Sequence, residues 1–267
     1  FVEPGNRLPL YETKNRGYID INEERPYLFR YELEDHSGNR LTYRFTVNGL
    51  DQPIPLEPPC EHWMAWKFPN AYMEPGFTLR IADGNLYDDI CFTHLAIENR
   101  EYYSDLHQVN DRPIPLHEQA EMWIGLHTDT LREKGNYGIV QINKNGSESW
   151  MGGEYTHGGI RLSIRELGGR YAVAADTIPP TITPMEPGNW RNQRRIRIRL
   201  KDDKSSIASF RGEINGRFIL FTHDSKSTVY TYRFDDSRLT KGERQELLFT
   251  ATDGAGNRSE YRFSFSY

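Results

Sequence analysis

The chain has 267 residues and a formal net charge of −5, a balance that argues against nucleic-acid binding, because nucleic-acid-binding proteins normally carry a basic face. No apolar stretch reaches the ~20 residues that a membrane-spanning helix needs, so we expect no transmembrane segment. Hydrophobic residues make up 37% and aromatic residues 13% of the chain. This composition favours several thin cores built from alternating strands, and we predict an all-β chain of two or three small domains.

Residues 1–49 contain four short extended pieces, at 8–11, 18–21, 27–33 and 41–47. An immunoglobulin-like sandwich normally uses about seven strands. We therefore predict that 1–49 is the C-terminal half of a β-sandwich whose first half precedes Phe1. No initiator Met or signal peptide begins the sequence, so we expect a mature product or a fragment.

One pattern occurs twice, at 29–45 and at 247–263. The aligned turn residues are Asp35, Gly38 and Asn39 in the first copy and Asp253, Gly256 and Asn257 in the second. Each copy has an extended run, a polar break and a second run with alternate aromatic residues, which predicts a β-hairpin. The aspartate can accept backbone N–H groups and the glycine allows a positive φ. A calcium loop needs more oxygen ligands than one Asp and one Asn, so we interpret both breaks as structural turns.

A proline-dense linker at 51–59 begins a predicted middle β-sandwich domain, 50–175. Asn145-Gly146 lies between two extended runs and predicts a tight hairpin. Residues 117–126 are equally compatible with a helix and a strand. Cys60 and Cys91 are the two cysteines of the chain. They form either one disulfide or two small buried thiols, and the sequence leaves both readings open.

The stretch 176–180, which ends in two prolines, marks the boundary of a third domain, 176–267. Residues 195–200 alternate strictly between Arg and an aliphatic residue, which predicts a strand with one buried face. Asn215-Gly216 joins two further runs as a hairpin. About seven strands are predicted here, as in an immunoglobulin-like sandwich. The predicted fold is thus all-β, with tandem immunoglobulin-like β-sandwich domains of which the first is incomplete.

No catalytic motif is found in the sequence. His107 and Asp111 have a spacing that zinc can use, but no neighbouring residue completes a set of three or four ligands. The five tryptophans could stack on sugar rings, although their scatter along the chain favours core packing. We therefore predict no catalytic residue, no metal ligand and no cofactor within this chain.

Several turn motifs resemble a known family. The stretches 1–11, 17–19, 35–39, 83–90 and 168–180, together with the last hairpin, are similar to the region after the catalytic domain in lysostaphin-like zinc metallopeptidases of Gram-negative envelopes. That family cleaves peptide cross-links in peptidoglycan and holds zinc with H-x-x-x-D and H-x-H. Only His107 and Asp111 match the first pattern and nothing matches the second, so no catalytic residue carries over.

The resemblance implies an accessory, non-catalytic tail of a periplasmic or cell-envelope peptidase. The zinc and the peptidase domain are then expected upstream of Phe1, with peptidoglycan or another glycan as a partner. The alternative is a free-standing glycan-binding or adhesion module that shares only the sandwich architecture. Coding sequence just before Phe1 would distinguish the two, because H-x-x-x-D followed by H-x-H supports the peptidase.

Overall fold

The computed structural model describes residues 19–53, 59–239 and 241–266. It is all-β, with 57% strand and 4% helix, which confirms the predicted class. Contacts divide the chain into two compact units, Phe1–Glu61 and His62–Tyr267. Among the described residues, no helix is long and apolar enough to cross a membrane. The predicted strand at 8–11, the resemblance at 1–11 and part of the proline linker lie outside the described residues.

The first unit contains a β-hairpin formed by β1 (Pro26–Glu34) and β2 (Arg40–Asn48). Its register pairs Phe29 with Phe45 and Tyr31 with Tyr43, and alternation places these four rings on one face. The Phe29 and Phe45 rings stack with centroids 5.0 Å apart. Tyr31 and Tyr43 nevertheless remain 56% and 60% exposed. Within the described part of this unit, the hairpin is a two-stranded sheet whose aromatic face is only partly covered.

Residues 62–175 of the second unit, called the middle domain below, form an antiparallel sheet of eight strands and a separate pair. The strands are β3 (His62–Met64), β4 (Asn70–Glu74), β5 (Phe77–Ile81), β6 (Ile90–Phe92), β7 (His94–Ile97), β8 (Leu106–Gly125), β9 (Tyr137–Ile142), β10 (Glu148–Gly152), β11 (Glu154–Thr156) and β12 (Gly159–Ala175). The large sheet has the order β10-β9-β12-β8-β5-β4, with β11 on β12 and β7 on β8, while β3 pairs with β6.

The long strands β8 and β12 form the centre of this sheet. Two irregularities in their pairing, one of them between Leu167 and Gly169, let the sheet bend around its core. Gly168 and Gly169 have φ values of 124° and 110° there, which other residues rarely adopt. The segment 117–126, ambiguous in sequence, lies almost entirely within β8. Buried core side chains come from several strands and include Phe77, Leu79, Met122, Ile124, Ile139 and Ile160.

The C-terminal part has two sheets around a second core. The first is β13 (Thr181–Met185), β14 (Arg195–Lys201) and β17 (Val229–Arg233). The second is β15 (Ile207–Ile214), β16 (Arg217–Ile219), β18 (Arg244–Asp253) and β19 (Arg258–Ser266). A short helix, α1 (Trp190–Gln193), precedes β14. Ile196, Ile198 and Leu200 are buried, so the alternation predicted for this strand is confirmed. Asn215 and Gly216 form the turn between β15 and β16, both with positive φ.

Candidate functional site at the domain junction

The Asp253 turn joins β18 to β19 and lies beside the middle domain. Asp253 Oδ1 accepts hydrogen bonds from the backbone N–H groups of Ala255 at 2.9 Å and Asn257 at 2.8 Å. Its Oδ2 accepts one from Asn257 Nδ2 at 2.9 Å. Gly256 has φ of 87°, the left-handed conformation that glycine adopts without strain. Asp253 is only 2% exposed, so its charge depends on these donors for solvation.

The Asp35 turn in the first unit has the same internal geometry. Asp35 Oδ1 accepts from the backbone N–H groups of Ser37 and Asn39, both at 2.9 Å, and Oδ2 accepts from Asn39 Nδ2 at 2.7 Å. The Asn39 side-chain amide holds the pKa of Asp35 below its usual range. Gly38 has φ of 82°. All of these residues are exposed, so the same turn is solvated here and buried at Asp253.

Asn257 connects the C-terminal sandwich to the middle domain. Its Nδ2 donates to the carbonyl oxygen of Asp176 at 3.0 Å, and its Oδ1 accepts from Asn136 Nδ2 at 2.6 Å. Asn136 also donates to the carbonyl oxygen of Ala255 at 3.4 Å. The Asn257 side chain therefore contacts both Asn136, which precedes β9, and Asp176, which begins the linker.

Three carboxylates meet at the same junction. Their residues are Asp176, Asp202 and Asp253, and one carboxylate oxygen of each lies within 4.8 Å of the other two. Among the described residues, this is the only group of three or more acidic, histidine or cysteine side chains close enough to share a metal ion. Asp176 accepts from the backbone N–H groups of Ile178 and Ser205. Backbone N–H groups also occupy the oxygens of the other two aspartates, so the cluster organises three loops of the junction.

The sequence predicted the turn at Asp253 but not the proximity of the three aspartates. Asp202 follows the end of β14 and its Oδ2 accepts from the N–H groups of Lys204 at 3.1 Å and Ser206 at 2.7 Å. Asp176 opens the linker. The sequence does show that each of the three aspartates begins a turn at the end of a strand. Only the topology shows that these three strand ends lie at one edge of the sandwich.

A groove of ≈ 550 Å³ lies next to the cluster. Lys204 Nζ lies 3.4 Å from Glu148 Oε2 in its wall. Glu148 also accepts from Tyr102 Oη at 2.9 Å; burial and this hydrogen bond raise the pKa of Tyr102 to about 12. The groove is lined by residues of β9 and β10, by the end of β12, the linker and the start of β13, and by the end of β14 and the loop after it. They are Val140, Glu148, Trp150, Ala175, Asp176, Thr177, Ile178, Pro179, Thr181, Lys201, Asp202, Asp203 and Lys204.

A second polar group lies inside the middle domain, away from the junction. His94 Nδ1 is 3.2 Å from Glu74 Oε2, and His94 Nε2 is 3.1 Å from His107 Nδ1. Tyr72 donates to the other oxygen of Glu74. Burial, and then the charge of His94, lowers the pKa of His107 to about 4. Burial also lowers the pKa of His94.

The zinc-compatible pair of the sequence is not brought together as a ligand set. His107 points its Nδ1 at His94, whereas the carboxylate of Asp111 accepts from Gln108 Nε2 at 3.2 Å. Sequence reasoning missed the Glu74–His94–His107 chain because its members lie on three strands, β4, β7 and β8, and β4 was not predicted. Cys60 and Cys91 are disulfide-bonded in the structure.

Comparison with known proteins relates one part of the chain to a family. Residues 61–176 match the model of the Zu5-like domain, which covers the middle domain and ends at Asp176. No curated protein matches the chain. The Zu5-like match carries no link to zinc metallopeptidases, so that resemblance stays a proposal.

Proposed function

We propose that this chain is a non-catalytic module of tandem immunoglobulin-like β-sandwich domains, the first one incomplete. In this proposal it is the accessory tail of a periplasmic or cell-envelope zinc metallopeptidase acting on peptidoglycan. The zinc and the catalytic residues then belong to a domain upstream of Phe1. The tail serves to place that domain or to contact the wall. The observation that carries the proposal is the hydrogen-bonded junction between the middle domain and the C-terminal sandwich.

The junction supports a placing function because it restricts motion between the two domains. Domains joined by a plain linker move relative to each other by default. Here Pro179-Pro180 stiffens the linker, and Ser259 Oγ donates to the carbonyl oxygen of Pro180 at 2.5 Å. The Asn257 contacts with Asp176 and Asn136 add further restraint. A stiff two-domain body can hold an attached enzyme at a fixed distance from its substrate.

The disulfide supports the proposed compartment. Disulfides form and persist in the periplasm and outside cells, and are rare in the cytosol. Both cysteines of this chain are oxidised, as expected for an exported protein.

The alternative is a free-standing glycan-binding or adhesion module. The junction groove with Trp150 on its wall favours this reading, since aromatic rings on open grooves suit sugar rings. The coding sequence before Phe1 separates the two functions, as described for the H-x-x-x-D and H-x-H motifs.

Co-sedimentation with purified peptidoglycan sacculi tests wall contact. We expect the chain to pellet with sacculi and to stay in the supernatant when it is centrifuged without them. A chain that stays in the supernatant would contradict wall contact. In a parallel incubation with sacculi and zinc, we expect no released peptides, and chelator-sensitive release would reveal a catalytic site in this chain.

A further inference from the structure

We infer that the junction groove is a subsite for a glycan rich in N-acetylhexosamine, in which the indole of Trp150 stacks on one sugar ring. The inference rests on the wall or glycan contact of the proposed function and names the chemical class that this contact recognises. It depends on three features of the groove, namely how Trp150 is held, what its indole N–H does, and which groups surround it.

Trp150 lies on β10, and its indole packs against the neighbouring strand β9. A Cβ added to Gly138 of β9 would lie 2.3 Å from Trp150 Cζ2, so the benzene ring of the indole rests directly on the glycine. Glycine in a strand interior permits this kind of close approach. The pairing of β10 with β9 is irregular between Trp150 and Gly152, and bulges re-aim side chains at sheet edges. The side chain is half-buried, with the groove beside it.

The indole N–H of Trp150 differs from those of two other tryptophans. Trp123 Nε1 donates to the carbonyl oxygen of Thr156 at 2.9 Å, and Trp190 Nε1 donates to that of Met185 at 2.7 Å. Across the part of the chain that the structure describes, no protein acceptor is found for Trp150 Nε1. Core tryptophans usually satisfy this donor internally. Trp150 therefore keeps a donor for a sugar hydroxyl or amide oxygen.

The surrounding groups suit a neutral polar ligand. Exposed Lys201 and Asp203 line the groove, and within the described residues neither has an ion-pair partner. They offer a donor and an acceptor for ring hydroxyls. Ile178, 72% exposed, and Pro179 provide an apolar wall for an acetamido methyl group. The groove volume falls in the range of about 300–1,000 Å³ typical of small-ligand sites.

A peptide is the competing ligand. A peptide strand would pair with the backbone of β10, which ends the sheet order. The irregular pairing near Gly152 shortens the regular stretch available for such pairing. The groove, in contrast, places an aromatic ring, a cationic side chain and an anionic side chain around one small volume. This arrangement suits a sugar ring, which can stack on the aromatic ring and form hydrogen bonds with the charged groups.

Indole NMR on the full chain tests the inference directly. The chain contains 5 tryptophans, so ¹⁵N-labelled protein gives separate indole N–H signals, and Trp150→Phe identifies that of Trp150. We expect the N-acetylglucosamine tetramer to shift the Trp150 signal and to leave that of Trp63, which is 55% exposed outside the groove, in place. Titration then gives the affinity.

Variants separate stacking from general effects. We expect Trp150→Ala to weaken tetramer binding about tenfold, a loss of about 1.4 kcal/mol of binding free energy, because the stacking face of the ring is removed. Trp150→Phe should bind with intermediate affinity, because it keeps an aromatic face but lacks the indole N–H, and Trp63→Ala should bind like the wild type. If Trp150→Ala does not fold, the double variant Lys201→Gln and Asp203→Asn is used, and it should weaken binding while leaving the melting temperature unchanged.

The outcomes distinguish this inference from the proposed function. Binding of sacculi that Trp150→Ala leaves unchanged would overturn the glycan subsite while wall contact stands. A shifted Trp150 signal without pelleting on sacculi would support the subsite and contradict the wall-directed function. No shift of the Trp150 signal with the tetramer, or a shift produced only by an extended peptide, would overturn the subsite.

Discussion

The buried histidines predict that the middle domain loses stability in mild acid. His107 is 1% exposed and stacks on Phe77 with ring centroids 5.2 Å apart. The titratable groups around the pair are Glu74, His62 and Asp105. In the hydrogen-bond chain, the carboxylate of Glu74 accepts from His94, and His94 Nε2 then accepts from His107 Nδ1. His94 must be neutral for this arrangement, because a charged imidazole has no acceptor nitrogen; burial disfavours the charged form of His107.

The direction and magnitude of this change in stability follow from the pKa of His107. Its folded pKa of about 4 lies below the usual histidine value of 6.5, so the unfolded chain binds the proton first as the pH falls. The stability contributed by neutral His107 is fully present above pH 6.5 and is lost as the pH falls toward about 4. Between about pH 7.5 and about pH 5, His107 alone accounts for about 2 kcal/mol. The lowered pKa of His94 acts in the same direction.

Urea unfolding at several pH values, followed by near-ultraviolet circular dichroism, measures this loss. His107→Asn keeps an N–H donor near the position of Nδ1 and cannot titrate, so its free energy of unfolding should fall about 2 kcal/mol less between about pH 7.5 and about pH 5. His157→Asn is the matched control. His157 is exposed in the same domain, has φ of 51° and can be replaced by Asn without backbone strain.

At pH values above about 5, the titration of Glu74 does not affect the comparison of these variants. The pKa of Glu74 is lowered, first by the hydrogen bond from Tyr72, so the stability that Glu74 contributes is lost only as the pH falls below the usual glutamate value of 4.5. The reasoning is refuted if wild type and His107→Asn show the same pH dependence while His157→Asn also matches the wild type.

Three further predictions concern the turns, the cysteines and the first hairpin. Asp253→Ala should lower the unfolding free energy of the C-terminal sandwich by roughly 1–3 kcal/mol, because it leaves buried N–H groups without an acceptor; Asp35→Ala in the solvated copy is the control, and an unchanged melting curve for Asp253→Ala would contradict the structural role of the turn. Thiol titration of denatured, unreduced protein should find no free thiol at Cys60 or Cys91, and reduction should remove about 3–4 kcal/mol on the chain-entropy model; two free thiols would contradict this. Amides of 27–47 should exchange faster with solvent here than in a longer protein that restores upstream residues, because a two-stranded hairpin is marginal alone; equal, strong protection would show that the hairpin needs no upstream strands.

Local signals in the sequence predicted the C-terminal sandwich well. The alternation at 195–200 matches β14, and Asn215-Gly216 matches the turn between β15 and β16. Asn145-Gly146 likewise lies between β9 and β10. These signals work because strand alternation and turn chemistry depend on residues close in sequence. The finer immunoglobulin-like assignment depends on how the sheets connect and stays a prediction.

Long-range pairing explains what the sequence did not predict. β8 contains Pro113 and Pro115, residues that normally argue against an inner strand, and only the pairing with β12 shows that the strand continues through them. The candidate groove joins residues of β10 with residues of the β14–β15 loop. Trp150 therefore looked like one of several scattered tryptophans, because its relation to Lys201 and Asp203 exists only in the folded chain.

The position of β12 has a consequence for the timing of folding. This strand is the last long one of the middle domain along the chain, yet it lies between β8 and β9. During synthesis, β8 and β9 each keep one edge unpaired until β12 has been made. Such non-local pairing is slow. The middle domain cannot complete its central sheet before Ala175 at the end of β12 has been synthesised.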